Sequence, residues 1–300
     1  MAEPASSPLD HFVRVELAVR RRLDGRLHGE YRGLLPGHGS ELGEAREYRP
    51  GDDVRRIDWA VTARTNRTHV RETVADHELT TVAVVDLSAS LDFGTARQTK
   101  RVVALDATAA IGFTTAHGAN RFGALALHGG GSSWMPPAQG RAHVHAVLRR
   151  LRALRPDGAA DLAQGLRIAA RLARRHGFVA VVSDFLDTGD WPAQLRGLGQ
   201  RHELLAVEIV DPRELRLPDV GFLTVTDPET GSRRHVDTAD PVLRARYAAA
   251  TDDQRARIAA AVRRAGADLL RLRTDSEWLA DMLRHIETRR RNAHVVRGVA

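Results

Sequence analysis

The stretch Thr80–Ser90, TTVAVVDLSAS, limits what this chain can fold into more than any other. Thr80, Thr81, Val82, Val84 and Val85 are β-branched, and such side chains fit a pleated sheet better than a helix. A buried strand is predicted, ending at Asp86. Beyond the strand, Asp86, Ser88 and Ser90 set three oxygen-bearing side chains at alternate positions, D-x-S-x-S. In an open α/β sheet, ligands bind outside the carboxyl ends of the strands, where hard cations want several oxygens. The loop therefore reads as a candidate cation site. The same residues also suit the plainer task of capping the next helix.

After Thr80 the chain alternates strands with helices. Further strands are predicted at Phe122–His128, Phe178–Val182, Leu204–Val210 and Asp268–Leu272. Helices are predicted at Arg97–His117, Ala142–Leu154, Asp161–His176, Pro241–Ala265 and Ser276–Arg290. The first of these is apolar nearly all round, which predicts a buried helix. Gly129–Gly131 turns Phe122–His128 into a hairpin with Trp134–Met135; no lysine or hydroxyl residue follows at phosphate-loop spacing. Phe222–Thr226 and Arg233–Val236 predict a surface hairpin. Continuously apolar strands alternating with helices mean a doubly wound, mostly parallel sheet with helices on both faces, over 80–292. Residues 293–300 read as a tail.

Before Thr80 this alternation is missing. Leu9–Leu23 has helical spacing in Phe12, Val15, Val19 and Leu23, and a glycine-rich passage follows at Gly25–Gly43. Next comes REYRPGDDVRRIDWAVTARTNRTHVRE, with a turn at Pro50-Gly51-Asp52, a short helical or irregular turn over Val54–Trp59, and a strand at His69–Asp76. Residues 1–79 are therefore expected to form a smaller, partly β N-terminal subdomain.

Composition removes several classes of function. There is no cysteine, which excludes disulfides, thiolate catalysis and cysteine-ligated zinc. No apolar stretch is long enough to span a bilayer and the first residues do not read as a signal peptide, so the cytoplasm is the expected compartment. The net charge of +7 raises the question of nucleic acid. However, the arginines are spread along amphipathic helices, and aromatics make up only 5%, leaving few stacking platforms. Nucleic acid is therefore not the expected partner. Lys100 is the only lysine in the chain. His143 and His145 stand two apart on a predicted helix, which points them to different faces. No G-x-S-x-G nucleophile elbow is present.

Three loops present oxygens: Asp86/Ser88/Ser90, Asp157–Asp161, and Ser183-Asp184. This constellation resembles the von Willebrand factor A-like fold. That fold's metal-ion-dependent adhesion site uses a D-x-S-x-S loop, a threonine from a second loop and an aspartate from a third. The chain further resembles the bacterial domain of unknown function 58 family. The shared run is R-x-Y-x-P-G-D-D-x-R-x-I-D-W-x-x-x-A-R, here Arg46, Tyr48, Pro50, Gly51, Asp52, Asp53, Arg55, Ile57, Asp58, Trp59, Ala63 and Arg64. The segments SDF at Ser183–Phe185, DPRELRLPDVG at Asp211–Gly221 and DPETG at Asp227–Gly231 extend the match.

The resemblance implies Mg2+ at the loop, with Asp86, Ser88, Ser90 and Asp184 as ligands or their immediate supports. One position departs from the pattern: Ala160 stands where the threonine is expected, so Asp161 would have to help. For Arg46, Tyr48, Asp52, Asp53, Arg55, Asp58, Trp59 and Arg64 two readings stand. One is a partner-binding surface; the other is a clamp of internal ion pairs with Trp59 as a core anchor.

Two classes of function follow. The resemblance implies a non-catalytic binding or adaptor module that works with a MoxR-type AAA+ ATPase in chaperone-like maturation or assembly of other proteins. The alternative is a metal-assisted hydrolase or phosphoesterase using Asp86, Asp161 and Asp184, since carboxylates around a divalent ion can activate water.

Overall fold

The computed structural model describes residues 8–24, 42–49, 52–54, 57–73, 78–116, 118–155, 158–285 and 288. β3 (Thr80–Asp86) lies inside a six-stranded sheet, paired in parallel with β4 (Arg121–His128) on one side and β6 (Phe178–Ser183) on the other. β7 (Glu203–Val210) pairs in parallel with β6, and β10 (Asp268–Arg273) with β7. β5 (Gly131–Gln139) closes the other edge antiparallel to β4, so the order is β10-β7-β6-β3-β4-β5. The chain thus runs outward from β3 to β4 and β5, then returns to the opposite side of β3 as β6. That reversal opens a crevice between the carboxyl ends of β3 and β6, the place where such sheets bind ligands.

Strand periodicity fills both faces. Ala83 and Val85 of β3 face one apolar cluster and Val82 and Val84 face the other, all buried. The first cluster is covered by α1 (Pro8–Asp24), α3 (Lys100–Thr115), α4 (Arg141–Ala153) and α9 (residues 278–285). The second is covered by α5 (Leu162–Leu172), α6 (Trp191–Gly199) and α8 (Pro241–Arg264). α3 is buried along almost its whole length, as its apolar circumference predicts. α6 has no counterpart in the sequence reading, because Pro192, Gly197 and Gly199 mask the buried face made by Trp191, Leu195 and Leu198. Gly199 is required there: a Cβ would stand 2.0 Å from the carbonyl oxygen of Ala265.

The N-terminal region divides in two. β1 (Leu42–Glu47) and β2 (His69–Thr73) form their own antiparallel pair, the expected partly β element. α2 (Trp59–Thr65) lies between them in sequence, starting where the short helical or irregular turn expected over Val54–Trp59 ends. α1, grouped by sequence with residues 1–79, instead packs Phe12, Val15 and Val19 into the cluster over α3 and α4. Buried Glu16 accepts from the Arg141 guanidinium and pairs with His145 Nε2 at 2.9 Å, while His11 Nε2 meets Asp106 Oδ1 at 2.6 Å. This helix belongs to the core of the sheet domain because its apolar stripe is the lid over α3 and α4. Among the described residues, no helix is long and apolar enough to cross a membrane.

Candidate functional site at the carboxyl end of the central strands

Asp86 ends β3 and Ser183 ends β6, so strand geometry alone brings the two loops together. Asp86 Oδ1 accepts from the Ser88 N–H at 2.9 Å, and its Oδ2 accepts from Ser183 Oγ at 2.8 Å. Ser88 Oγ lies 3.0 Å from Ser90 Oγ, which donates to Asp184 Oδ2 at 3.0 Å. A chain of oxygens therefore runs from one loop to the other. Burial, and then the negative charge of Asp184, push the Asp86 carboxyl above its ordinary value.

The capping reading of this loop does not describe it. Ser88 precedes the short 3-10 turn Ala89–Asp92 without a side-chain cap, and α3 is capped by Thr99. The D-x-S-x-S oxygens turn into the crevice instead. The loop's backbone is pinned as well: the Leu87 N–H donates to the Leu127 carbonyl at 2.8 Å and the Ala89 N–H to the Gly158 carbonyl at 2.9 Å. Gly158 adopts φ of 55°, a left-handed conformation that favours glycine. After Asp184, Phe185 takes φ of 56° without being a glycine. Such a residue is strained by about 1–2 kcal/mol and is held only because its surroundings dictate it. Its ring is buried 5.1 Å from Trp191, and its N–H donates to Ser183 Oγ at 3.0 Å.

A cation is already built into this crevice. Lys100, at the start of α3, is fully buried; its Nζ donates to Asp184 Oδ2 at 2.8 Å and to Glu214 Oε1 at 2.5 Å. Glu214 lies on α7 (Pro212–Leu215), just after β7. Burial alone would lower the Lys100 pKa, but Asp184 and Glu214 outweigh it and hold the ammonium above the ordinary lysine value. Burial raises Glu214 against the pull of Lys100. Glu229, on the turn between β8 (Phe222–Thr226) and β9 (Arg233–Asp237), joins the same electric field. Partial burial, then the charges of Asp184, Asp86, Asp227 and Asp187, raise its carboxyl.

Beside the crevice, Asp211 ties three segments together: its carboxylate accepts from the Thr95 N–H and hydroxyl, the Arg213 N–H and the Thr274 hydroxyl.

Asp161 is engaged elsewhere. It caps α5, accepting from the Gln164 N–H at 2.7 Å, with Arg167 at 4.0 Å and its side chain 55% exposed. Ala160 packs against the apolar cluster under α5. In the upstream run, Asp58 is buried and caps α2 through the Ala60 and Val61 N–H groups. The Tyr48 N–H donates to the Thr68 carbonyl at 2.7 Å, and Asp52 Oδ2 accepts from the Arg49 N–H at 2.8 Å. Asp53 and Arg64 are exposed. Trp59 is 71% exposed, so it is not the core anchor of the clamp reading: α2 buries none of its residues. Arg55, with Pro50 and Gly51, lies outside the described residues, and Arg46 is described only as part of β1.

Comparison with known proteins shows the family. The family described as protein of unknown function DUF58 matches residues 44–257. The uncharacterized protein Rv1480 of Mycobacterium tuberculosis is 49% identical over 283 residues, covering 93% of this chain and 89% of that protein. The chain belongs to the DUF58 family. A second relative, the uncharacterized protein MAV169 of Mycobacterium avium, is 39% identical over 161 residues, 52% of this chain and 95% of its own. Among solved structures, the conserved hypothetical protein BatB from Bacteroides thetaiotaomicron is similar at TM-score 0.42 and 9% identity, covering 71% of this chain and 98% of that one. The SpRpn10 VWA domain is similar at TM-score 0.43 and 12% identity, covering 69% and 94%.

In this DUF58 chain the donor set does not suit a resident Mg2+. Magnesium demands near-octahedral oxygen geometry. Ala160 offers no side-chain oxygen, Asp161 is spent on α5, and Asp184 Oδ2 already takes both Ser90 and Lys100. A divalent ion sharing Asp184 would stand a few ångströms from the ammonium; at 4 Å and an effective dielectric constant of 20 that repulsion is about 8 kcal/mol. Sequence reasoning missed Lys100, Glu214 and Glu229. The signal for Lys100 was available: a chain with 45 lysines and arginines keeps a single lysine, where a compact ammonium suits a buried pocket that a guanidinium fork would not.

Proposed function

We propose that this protein is a non-catalytic binding module that recognises other proteins through the crevice formed by Asp86, Ser88, Ser90 and Asp184. The observation that carries this reading is the closed hydrogen-bond chain across the crevice. Each serine hydroxyl there is committed to a carboxylate or to another hydroxyl, and among the described residues none is hydrogen-bonded to a histidine that could activate it as a nucleophile. Asp86, Ser88 and Asp184 are buried, and half-buried Ser90 is the edge of this fixed set of donors and acceptors that a partner can reach.

The partner we propose is a MoxR-type AAA+ ATPase, with this chain supplying contacts for chaperone-like maturation or assembly. The resemblance to the A-like, DUF58 pattern supports that partner. The exposed Trp59 and Val54 beside the PGDD run offer, apart from the polar crevice, an apolar contact of the kind that anchors interfaces. The test is co-purification of the chain with the MoxR-type ATPase of the same cell, together with ATP turnover. Binding that is lost in Ser90→Ala or Asp184→Asn supports the reading. An ATPase that neither binds nor changes its turnover overturns it. The hydrolase alternative requires Asp86, Asp161 and Asp184 around one ion, and Asp161 is committed to α5.

A further inference from the structure

We propose that the Lys100 ammonium is the permanent cation of this crevice, standing in place of a divalent ion, so that recognition at the Asp86–Ser90 loop is independent of metal. The inference rests on the reading of the crevice as a binding site and adds what balances its charge.

Four observations point the same way. Lys100 is fully buried, which for an ammonium is tolerated only when it is paired. It occupies the first residue of a 16-residue helix, where the backbone dipole disfavours positive charge, so its position serves the carboxylates and not the helix. Its two partners come from separate strands' ends, Asp184 after β6 and Glu214 after β7. Its own loop is fixed as well: the Lys100 N–H donates to the Phe93 carbonyl at 2.8 Å, and Thr95 is tied to Asp211 through both its N–H and its hydroxyl. The ammonium is thus placed by three elements at the carboxylate that a metal would need.

A tethered charge differs from a bound ion in a testable way. It cannot be chelated away, and it repels an incoming cation. The experiment is Mn2+ titration of the full chain, followed by calorimetry and by the electron paramagnetic resonance of free Mn2+. Unfolding midpoints in EDTA and in millimolar Mg2+ are measured beside it. The wild-type chain is expected to show no saturable Mn2+ binding and the same midpoint in both buffers. Lys100→Met is expected to unfold earlier, to gain Mn2+ affinity by about tenfold or more, and to recover part of its midpoint in Mg2+. Adding Asp86→Ala to that variant should remove the gain.

Saturable Mn2+ binding by the wild type that Asp86→Ala abolishes overturns the proposal. So does a folded Lys100→Met chain that gains no affinity. Should Lys100→Met fail to fold, Lys100→Met/Glu214→Gln removes one charge of each sign and is read by the same criteria. The titration uses this chain alone, so a negative ATPase assay with the expected titration overturns only the partner, and the reverse pattern overturns only the cation.

Discussion

Lys100 and Asp184 are 84 residues apart in sequence, and the ammonium of one lies 2.8 Å from the carboxylate of the other with both buried. Breaking a buried pair by removing one member leaves an uncompensated charge, which costs about 3–5 kcal/mol. Lys100→Met should therefore lower stability by about that much at neutral pH. Lys100→Met/Glu214→Gln should lose less, because one of the two stranded carboxylates goes with it. Urea unfolding of the three chains measures the difference.

Asp211 gives an acid-side prediction. Burial pushes its carboxyl up, but the hydroxyl and N–H of Thr95, the Arg213 N–H and the Thr274 hydroxyl outweigh burial and hold it below its ordinary value. A carboxyl lowered on folding stabilises the folded state above its unfolded value of about 3.9, and this is lost as pH falls through the folded value. Asp211→Asn should be destabilised by about 2–3 kcal/mol at neutral pH, and its loss of stability below about pH 4 should be shallower than in the wild type. Unfolding midpoints between pH 3 and pH 7 decide it (values chosen to span the carboxylate range).

α1 should behave as core. Phe12 is buried against α3 and α4, so Phe12→Ala should cost about 3–5 kcal/mol in denaturant unfolding. A cost near zero would place the helix outside the cooperative unit.

Trp59 separates stability from recognition. An exposed side chain contributes little to folding, so Trp59→Ala should stay within about 0.5 kcal/mol of the wild type. If α2 is part of the partner surface, the same change should weaken capture of the ATPase by about tenfold or more, as truncation of an interface tryptophan does.

Gly199→Ala tests close packing. The added Cβ would strike the Ala265 carbonyl, a backbone atom that no rotamer change can move. The expected cost is about 1–3 kcal/mol in thermal or urea unfolding.

The sequence by itself determined the sheet. Runs such as Val82–Val85 and Phe178–Val182 are apolar on both pleat faces, and only a strand covered on two sides satisfies them. It also marked Asp86, Ser88, Ser90 and Asp184 as loop residues that can converge on one sheet edge, but the direct pairing of β3 with β6 that joins them came from the fold. Local pattern was silent on three matters that long-range packing decided. Lys100 reads as an ordinary charge at a helix start until the fold carries it to Asp184 and Glu214. Trp59 reads as a core anchor in the clamp reading, but among the described residues α2 buries none of its side chains and the ring is exposed. Asp161 is offered by the resemblance as help for the oxygen missing at Ala160, yet in the fold its carboxylate caps α5. Hydrophobic periodicity reports which side of an element is dry; the partner of a polar group is chosen in three dimensions, by whichever donor or charge the folded chain brings within about 3 Å.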